Sequence, residues 1–229
     1  MALENWAGLK ATIADFLNRE DLTVIIPTFI ELAEAQINRD VRHWRMENRA
    51  YTTISNQYLT RPSDWVETIN LRLLGNNTST LELLSSQAMD ERRANSDDIG
   101  GTPQFYRHIE DQFEVWPSPS GTGVEIELVY YQKITPLGQP IVEQDTRTAA
   151  TNWLLTDAPD IYLYGSLLHS APYLENDPRL ATWAQLYSAA VQRLKAESEV
   201  SIASGSGLKT RIRGLDTSGS GRARYWRLN

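Results

Sequence analysis

"TNWLLTDAPDIYLYGSLLHSAPYLENDPRLATWAQLYSAAVQRL", residues 151–194, decides the fold, because it restores helical texture after a long stretch that reads as β. Asp157 or Ala158 precedes Pro159, and Asp177 precedes Pro178. Each is the arrangement of an N-cap followed by a proline in the first turn, where the missing N–H has no helical partner to lose. Leu180, Trp183, Tyr187, Ala190, Val191 and Leu194 then recur at three- and four-residue spacing, one apolar stripe of an amphipathic helix. The segment predicts two helices.

The other end of the chain has the same character. Leu3, Trp6, Leu9, Ile13, Phe16 and Leu17 share a helical stripe, and after "REDLTVI" Pro27 opens a second, carried by Phe29, Ile30, Ala33, Ile37, Val41 and Trp44 to about Arg45. Between the two ends lie "RAYTTIS", "QYLTRP", "TINLRLLG", "STLELLS", "FYRHIE", "QFEVWP" and "VEIELVYYQKI", short segments rich in β-branched and aromatic residues. Turn signals separate them, at Ser55-Asn56, Gly75-Asn76-Asn77, Gly100 to Pro103, Glu110-Asp111 and Pro117 to Gly121. They predict an antiparallel β region of roughly six strands, interrupted by a short helix from Ser85 to Asn95 with Ser85 or Ser86 as cap. A helix pair alone makes a poor core, so the expected class is α+β: a four-helix bundle with an inserted antiparallel β region and an extended C-terminal arm. The expected divisions are 1–47, the N-terminal helix pair; 48–135, the β insertion; 136–200, the C-terminal helix pair; and 201–229, a basic Gly/Ser-rich arm.

Chemistry is sparse in this sequence. There is no cysteine, which excludes disulfides, thiolate nucleophiles and Cys-ligated metals. His43, His108 and His169 stand far apart without a metal-binding spacing, so no metal and no cofactor are expected. Phosphate-loop, dinucleotide, nucleophile-elbow and zinc-protease motifs are missing. Asp90-Glu91, Asp97-Asp98 and Glu110-Asp111 pair acids as glycoside hydrolysis would need, yet in an acidic protein such turns read as solvated surface. Glu125 and Glu127 alternate with Val124, Ile126 and Leu128 and read as the solvent face of a half-buried strand. His169 reads as a satisfied structural histidine. Trp6, Trp44, Trp153 and Trp183 are expected to fill the helical core, and Trp65 and Trp116 to anchor the β region. The start lacks a signal-peptide pattern and no window is apolar enough to span a bilayer, which predicts a protein kept in cytosol-like solution, with no membrane partner.

Charge is segregated. The chain of 229 residues carries −7, but residues 204–229 hold Lys209, Arg211, Arg213, Arg222, Arg224 and Arg227 against Asp216 alone, so the arm is +5 and the remainder −12. A body at −12 repels nucleic acid over most of its surface. Tyr225 and Trp226 stand among arginines with no apolar period around them, the residue types that dominate interface hot spots.

Residues 151–194, together with "IPTFIELAEAQINRDVR" (26–42), "YLTRPSDWVETINL" (58–71), "GGTPQFYRHIEDQFEVWPSP" (100–119) and "VEIELVYYQKI" (124–134), resemble the head-to-tail adaptor (connector) proteins of tailed bacteriophages. The resemblance covers most of residues 20–195 and not the last 25. It implies a structural virion protein at the head-tail neck, assembled in the host cytoplasm, with copies in a ring of twelve under the portal protein. The ring extends the DNA channel, through which DNA passes without sequence-specific binding, and offers a platform to tail nozzle or tail tube proteins and to tail fibres. It also implies an arm docking on the portal, here through Lys209, Arg211, Arg213, Arg222, Arg224, Tyr225, Trp226 and Arg227. Two alternatives compete with a non-enzymatic adaptor: a tail-associated peptidoglycan-cleaving enzyme using a carboxylate pair, and a nucleic-acid binder using the basic arm.

Overall fold

A computed structural model describes residues 3–19, 21–75, 78–94, 100–121, 123–137, 150–174 and 177–203. Helix α1 (Trp6–Leu17) begins where the Asn5 side chain accepts from the Gly8 N–H at 2.9 Å and ends on Asn18 in the left-handed region. Helix α2 (Ile26–Asp40) carries Pro27 in its first turn. A 3₁₀ turn (Trp44–Met46) then leads into the β region.

Seven strands follow among the described residues, in two sheets. One, ordered β1-β7-β3, joins β1 (Glu47–Ile54), β7 (Val124–Gln132) and β3 (Trp65–Leu73), all antiparallel. The other, ordered β2-β6-β5-β4, joins β2 (Tyr58–Thr60), β6 (Gln112–Trp116), β5 (Phe105–Ile109) and β4 (Glu82–Leu83). In it β4 and β5 run parallel, with α3 (Ser86–Ala94) in the crossover between them. The sheets enclose one apolar core built from Ile54, Leu59, Leu71, Leu73, Leu81, Tyr106, Phe113, Val115, Ile126, Leu128 and Tyr130. Ser85 caps α3 as expected, its Oγ accepting from the Ala88 N–H.

The second core is helical. Helices α4 (Trp153–Asp157), α5 (Pro159–His169) and α6 (Arg179–Ala203) return to α1 and α2, and residues from Trp6 to Leu194 meet in it. The expected four-helix bundle is overturned, although the α+β class holds. The described residues form six α-helices and two sheets, and the β region is not wholly antiparallel as expected, since β4 and β5 run parallel. Pro159 and Pro172 cut residues 151–174 into α4, α5 and a 3₁₀ turn (Ala171–Tyr173) instead of one bundle helix. Helix α5 has no exposed residue: it packs against α1, α2, α4 and α6 as a central rod, not as one of four equivalent staves. Gly165 permits this, since a Cβ there would stand 3.3 Å from the Tyr187 ring and 3.4 Å from the Ala33 Cβ.

The two cores are tied by polar contacts. On α2, Asn38 Oδ1 accepts from the Ile134 N–H at 2.8 Å and Glu34 Oε1 from the Leu137 N–H at 2.7 Å, where the chain leaves β7. Arg42 bonds Glu67 on β3 at 2.8 Å.

Candidate assembly surface

The outer face of the β1-β7-β3 sheet centres on a carboxylate. Alternation along β7 puts Glu127 on this face, level with Tyr51 on β1 and Arg72 on β3. Glu127 is ion-paired with Arg72 and, at 3.0 Å, with Arg49, and accepts from the Tyr51 hydroxyl at 3.2 Å. Only 1% of its side chain is accessible, so the expected free solvent-face glutamate is instead covered by the long side chains around it. The Arg72 hydrogen bond, then Tyr51 and the positive charge of Arg49, hold its carboxyl below the usual range against the opposing effect of burial. Sequence reasoning missed this because an E-x-E alternation does not say which arginines flank it across strands; the signal was Arg49 and Arg72, both in strand-like segments.

A matching arrangement stands in the second sheet. Glu114 on β6 is ion-paired with Arg107 on β5 and with Arg93 on α3, and accepts from Gln57. Arg93 and Arg92 also lie over the Trp116 and Phe105 rings, 5.4 and 4.7 Å from the centroids, which fastens α3 to the sheet.

On the helical side, His43 stacks on Trp153 with centroids 5.0 Å apart, and the Arg45 guanidinium lies 5.4 Å from the Trp44 ring and 5.8 Å from the Trp153 ring while pairing with Asp157. Burial lowers the His43 pKa, helped by Arg45. Trp44, expected in the core, is 42% exposed: the helical period stops at Asp40, and the 3₁₀ turn swings the indole outward. The backbone N–H of Trp44 donates to Ser198 Oγ on α6 at 3.1 Å. Trp6 and Trp183 are buried as expected, and Trp65 packs on the β core.

Among the described residues, the acid pairs singled out in the sequence do not assemble a cleft. Asp90 pairs with Arg107 and Arg93, and Asp111 with Arg61 at 2.9 Å; Asp97 and Asp98 lie outside the described residues. Glu34 is the carboxyl that burial pushes up, but it is sealed in the helical core under Leu137 and Tyr162 rather than facing a substrate space. His169 ends α5 with Nε2 buried and without a hydrogen-bond partner among the described residues, so it is not the satisfied histidine expected; burial lowers its pKa. Among the described residues no three His, Asp or Glu side chains form a metal-holding group, and no helix is long and apolar enough to cross a membrane.

What remains is surface: exposed Trp44, Tyr51, Tyr58 and Leu83, and Val200 and Ile202 at the end of α6. All eight arm residues from Lys209 to Arg227 lie outside the described residues. The family model of the SU10 adaptor protein matches residues 4–211, which includes every helix and strand described above. The chain belongs to the SU10 adaptor protein family. It is a phage adaptor with a structural role. No curated protein matches the chain. The SU10 adaptor match passes Ala203 and takes in Lys209 and Arg211, farther than the resemblance read from sequence, but leaves out Arg213, Arg222, Arg224, Tyr225, Trp226 and Arg227.

Proposed function

We propose that this adaptor works at the head-tail junction as a ring of twelve copies under the portal protein, extending the DNA channel and seating the tail nozzle or tail tube proteins and tail fibres. The observation that carries the reading is the family match across the whole described fold. The segregation of charge supports it: an acidic body suits a channel through which DNA slides without sticking, while the basic arm suits acidic ground on a protein partner. We read 1–47 and 136–200 as the helical parts of the ring, 48–135 as the β outgrowth that meets tail proteins, and 201–229 as the portal-docking arm. Arg222, Arg224 and Arg227 supply bidentate contacts to carboxylates and Tyr225 and Trp226 fill pockets, with Lys209, Arg211 and Arg213 adding charge. Ordering such an arm costs conformational entropy that its anchors must offset, so ring formation becomes conditional on a portal template.

Co-sedimentation of the protein with its portal ring tests this. The full chain is expected to bind as a ring on the portal, and a truncation after Ala203 to bind at least about tenfold more weakly, the equivalent of ~1.4 kcal/mol. Equal binding by both forms removes the arm from portal docking, and no binding by either removes the ring-under-portal reading.

A further inference from the structure

Each sheet has two edges. Backbone bonds from Leu81 N–H to Leu71 O and from Leu73 N–H to Ser79 O join the β3 edge to the chain leading into β4, whereas β1 and β2, edges on the other side, are linked by the chain through residues 55–57. Between the two edges runs a groove of about 400 Å³ with Ala50, Thr52 and Ile54 of β1 on one wall, Tyr58 on the other, and Leu59 and Leu128 at its floor. Eight residues of β1 pair with β7 on one side, and among the described residues nothing pairs with the other. An edge of that length, without proline or lysine, is a template for another strand.

The chain itself holds a matching segment. In "LKTRIR", residues 208–213, Leu208, Thr210 and Ile212 alternate with Lys209, Arg211 and Arg213, the period of a strand with one apolar and one basic face. The faces suit the groove. Ala50, Thr52 and Ile54 share the inner face of β1, while the outer face of the same sheet carries Glu47, Glu125 and Glu127 against Arg49 and Arg72, an excess of one acid. Helix α6 delivers the segment to this place: Ser198 bonds Trp44, three residues before β1 begins, and α6 ends at Ala203, about 8 Å farther on at 1.5 Å per residue. The five residues from there to Leu208 span up to about 17 Å.

We propose that residues 208–213 add to the free edge of β1 in the same chain as a further strand, with Leu208, Thr210 and Ile212 in the groove and Lys209, Arg211 and Arg213 on the outer face. The arm enters at the beginning of β1 and runs parallel to it, like β4 beside β5. Residues 214–229 then leave from a fixed point, which shortens the free tether that carries Tyr225 and Trp226 and leaves the portal contacts to Arg222, Arg224, Tyr225, Trp226 and Arg227. The pairing does not depend on what the end of the arm binds.

The chain has no cysteine, so engineered pairs report cleanly. Adjacent strands lie about 4.8 Å apart, within disulfide reach. Thr52→Cys combined in turn with Leu208→Cys, Thr210→Cys or Ile212→Cys is expected to give, for at least one pair, an intrachain disulfide in more than roughly half of the molecules, and Thr52→Cys with Lys209→Cys or Arg211→Cys less than about a fifth of that. Equal yields from the two sets, or no bond in any, overturn the strand; bonds only between chains overturn the same-chain occupant and assign the groove to a second copy. As a second readout in the full chain, Thr210→Pro is expected to speed exchange of the outward-facing β1 amides by about tenfold, and unchanged exchange overturns the pairing. Either failure leaves portal binding, measured separately, untouched.

Discussion

The helical core and the β region each bury carboxylates, and they do it in opposite ways. In the helical core Glu34 is held by neutral donors, the Leu137 N–H at 2.7 Å and the Tyr162 hydroxyl at 3.4 Å, with Asn152 donating to Tyr162 in turn. Burial there outweighs the hydrogen bonds and raises its pKa, and the same burial together with Glu34 pushes the Tyr162 phenol far above its usual range. In the β region Glu114 and Glu127 each sit between two guanidiniums, and Glu127 is held ionised. The difference follows from local geometry. A helix presents side chains at i and i+4 along one face, so Glu34 and Asn38 meet backbone N–H groups of a passing segment. A sheet brings the side chains of neighbouring strands together, so Glu127 on the middle strand meets Arg72 level with it and Arg49 on the diagonal, while Glu114 meets Arg107 level with it and Arg93 from α3 above. The lesson is that an acid's charge state here is set by the element that carries it more than by its depth.

The largest test separates the two cores. Phe113, fully buried among β residues, cut to alanine is expected to cost about 3–5 kcal/mol in urea unfolding. Hydrogen exchange should show β5, β6 and β7 losing protection while α5 keeps its own; equal loss in α5 would merge the cores into one cooperative unit. Next in size, Glu114→Gln leaves Arg93 and Arg107, 27% and 14% accessible, facing a neutral amide, and is expected to cost about 2–3 kcal/mol. Asp111→Asn, which breaks a pair whose acid is 95% accessible, should cost less than about 1 kcal/mol in the same denaturation assay. The smallest effect is in pH. Glu34 has a raised folded pKa, so the folded state holds its proton between the ordinary value near 4.5 and that raised value, and stability rises as pH falls through this window. Glu127 has a lowered folded pKa, so its contribution is present above 4.5 and is lost as pH falls below it. Thermal melts from pH 7 to pH 3 should therefore lose the first slope in Glu34→Gln and the second in Glu127→Gln; unchanged slopes in both would break the contrast.

Periodic segments were legible in the sequence. Residues at the starts of α1, α2 and α3 follow their caps and prolines, and each of the seven strand-like segments overlaps a strand, with β1 and β3 beginning two and three residues earlier than their segments. Arrangement was less legible. Pro159 read as the start of a helix, which it is, but its power to end the preceding one decides against a bundle, and a helix like α5, covered on every side, shows no single stripe to place it. Alternation gave the faces of β7 but not its neighbours, so the two arginines that cover Glu127 were invisible until β1 and β3 were known to flank it. Trp44 shows the limit of extending a period past its end by one turn. The surfaces that carry function have no periodic signature at all; family membership reads them only because the whole pattern of residues 4–211 is compared at once.

The helical core is assembled from the two ends of the chain, and this sets a schedule. Helix α2 ends at Asp40 and its main partner α5 begins at Pro159, so during synthesis the apolar face of α1 and α2 leaves the ribosome about 120 residues before its cover, a wait of roughly 6–24 s at 5–20 residues per second. Strands β1 to β7 emerge entirely within that interval, and their core contains no residue of either helical part. A β region that closes before α5 arrives brings the two helical segments to its own β1 and β7 ends, side by side at Glu47 and Tyr131, and turns a closure over about 120 residues into a short-range docking step.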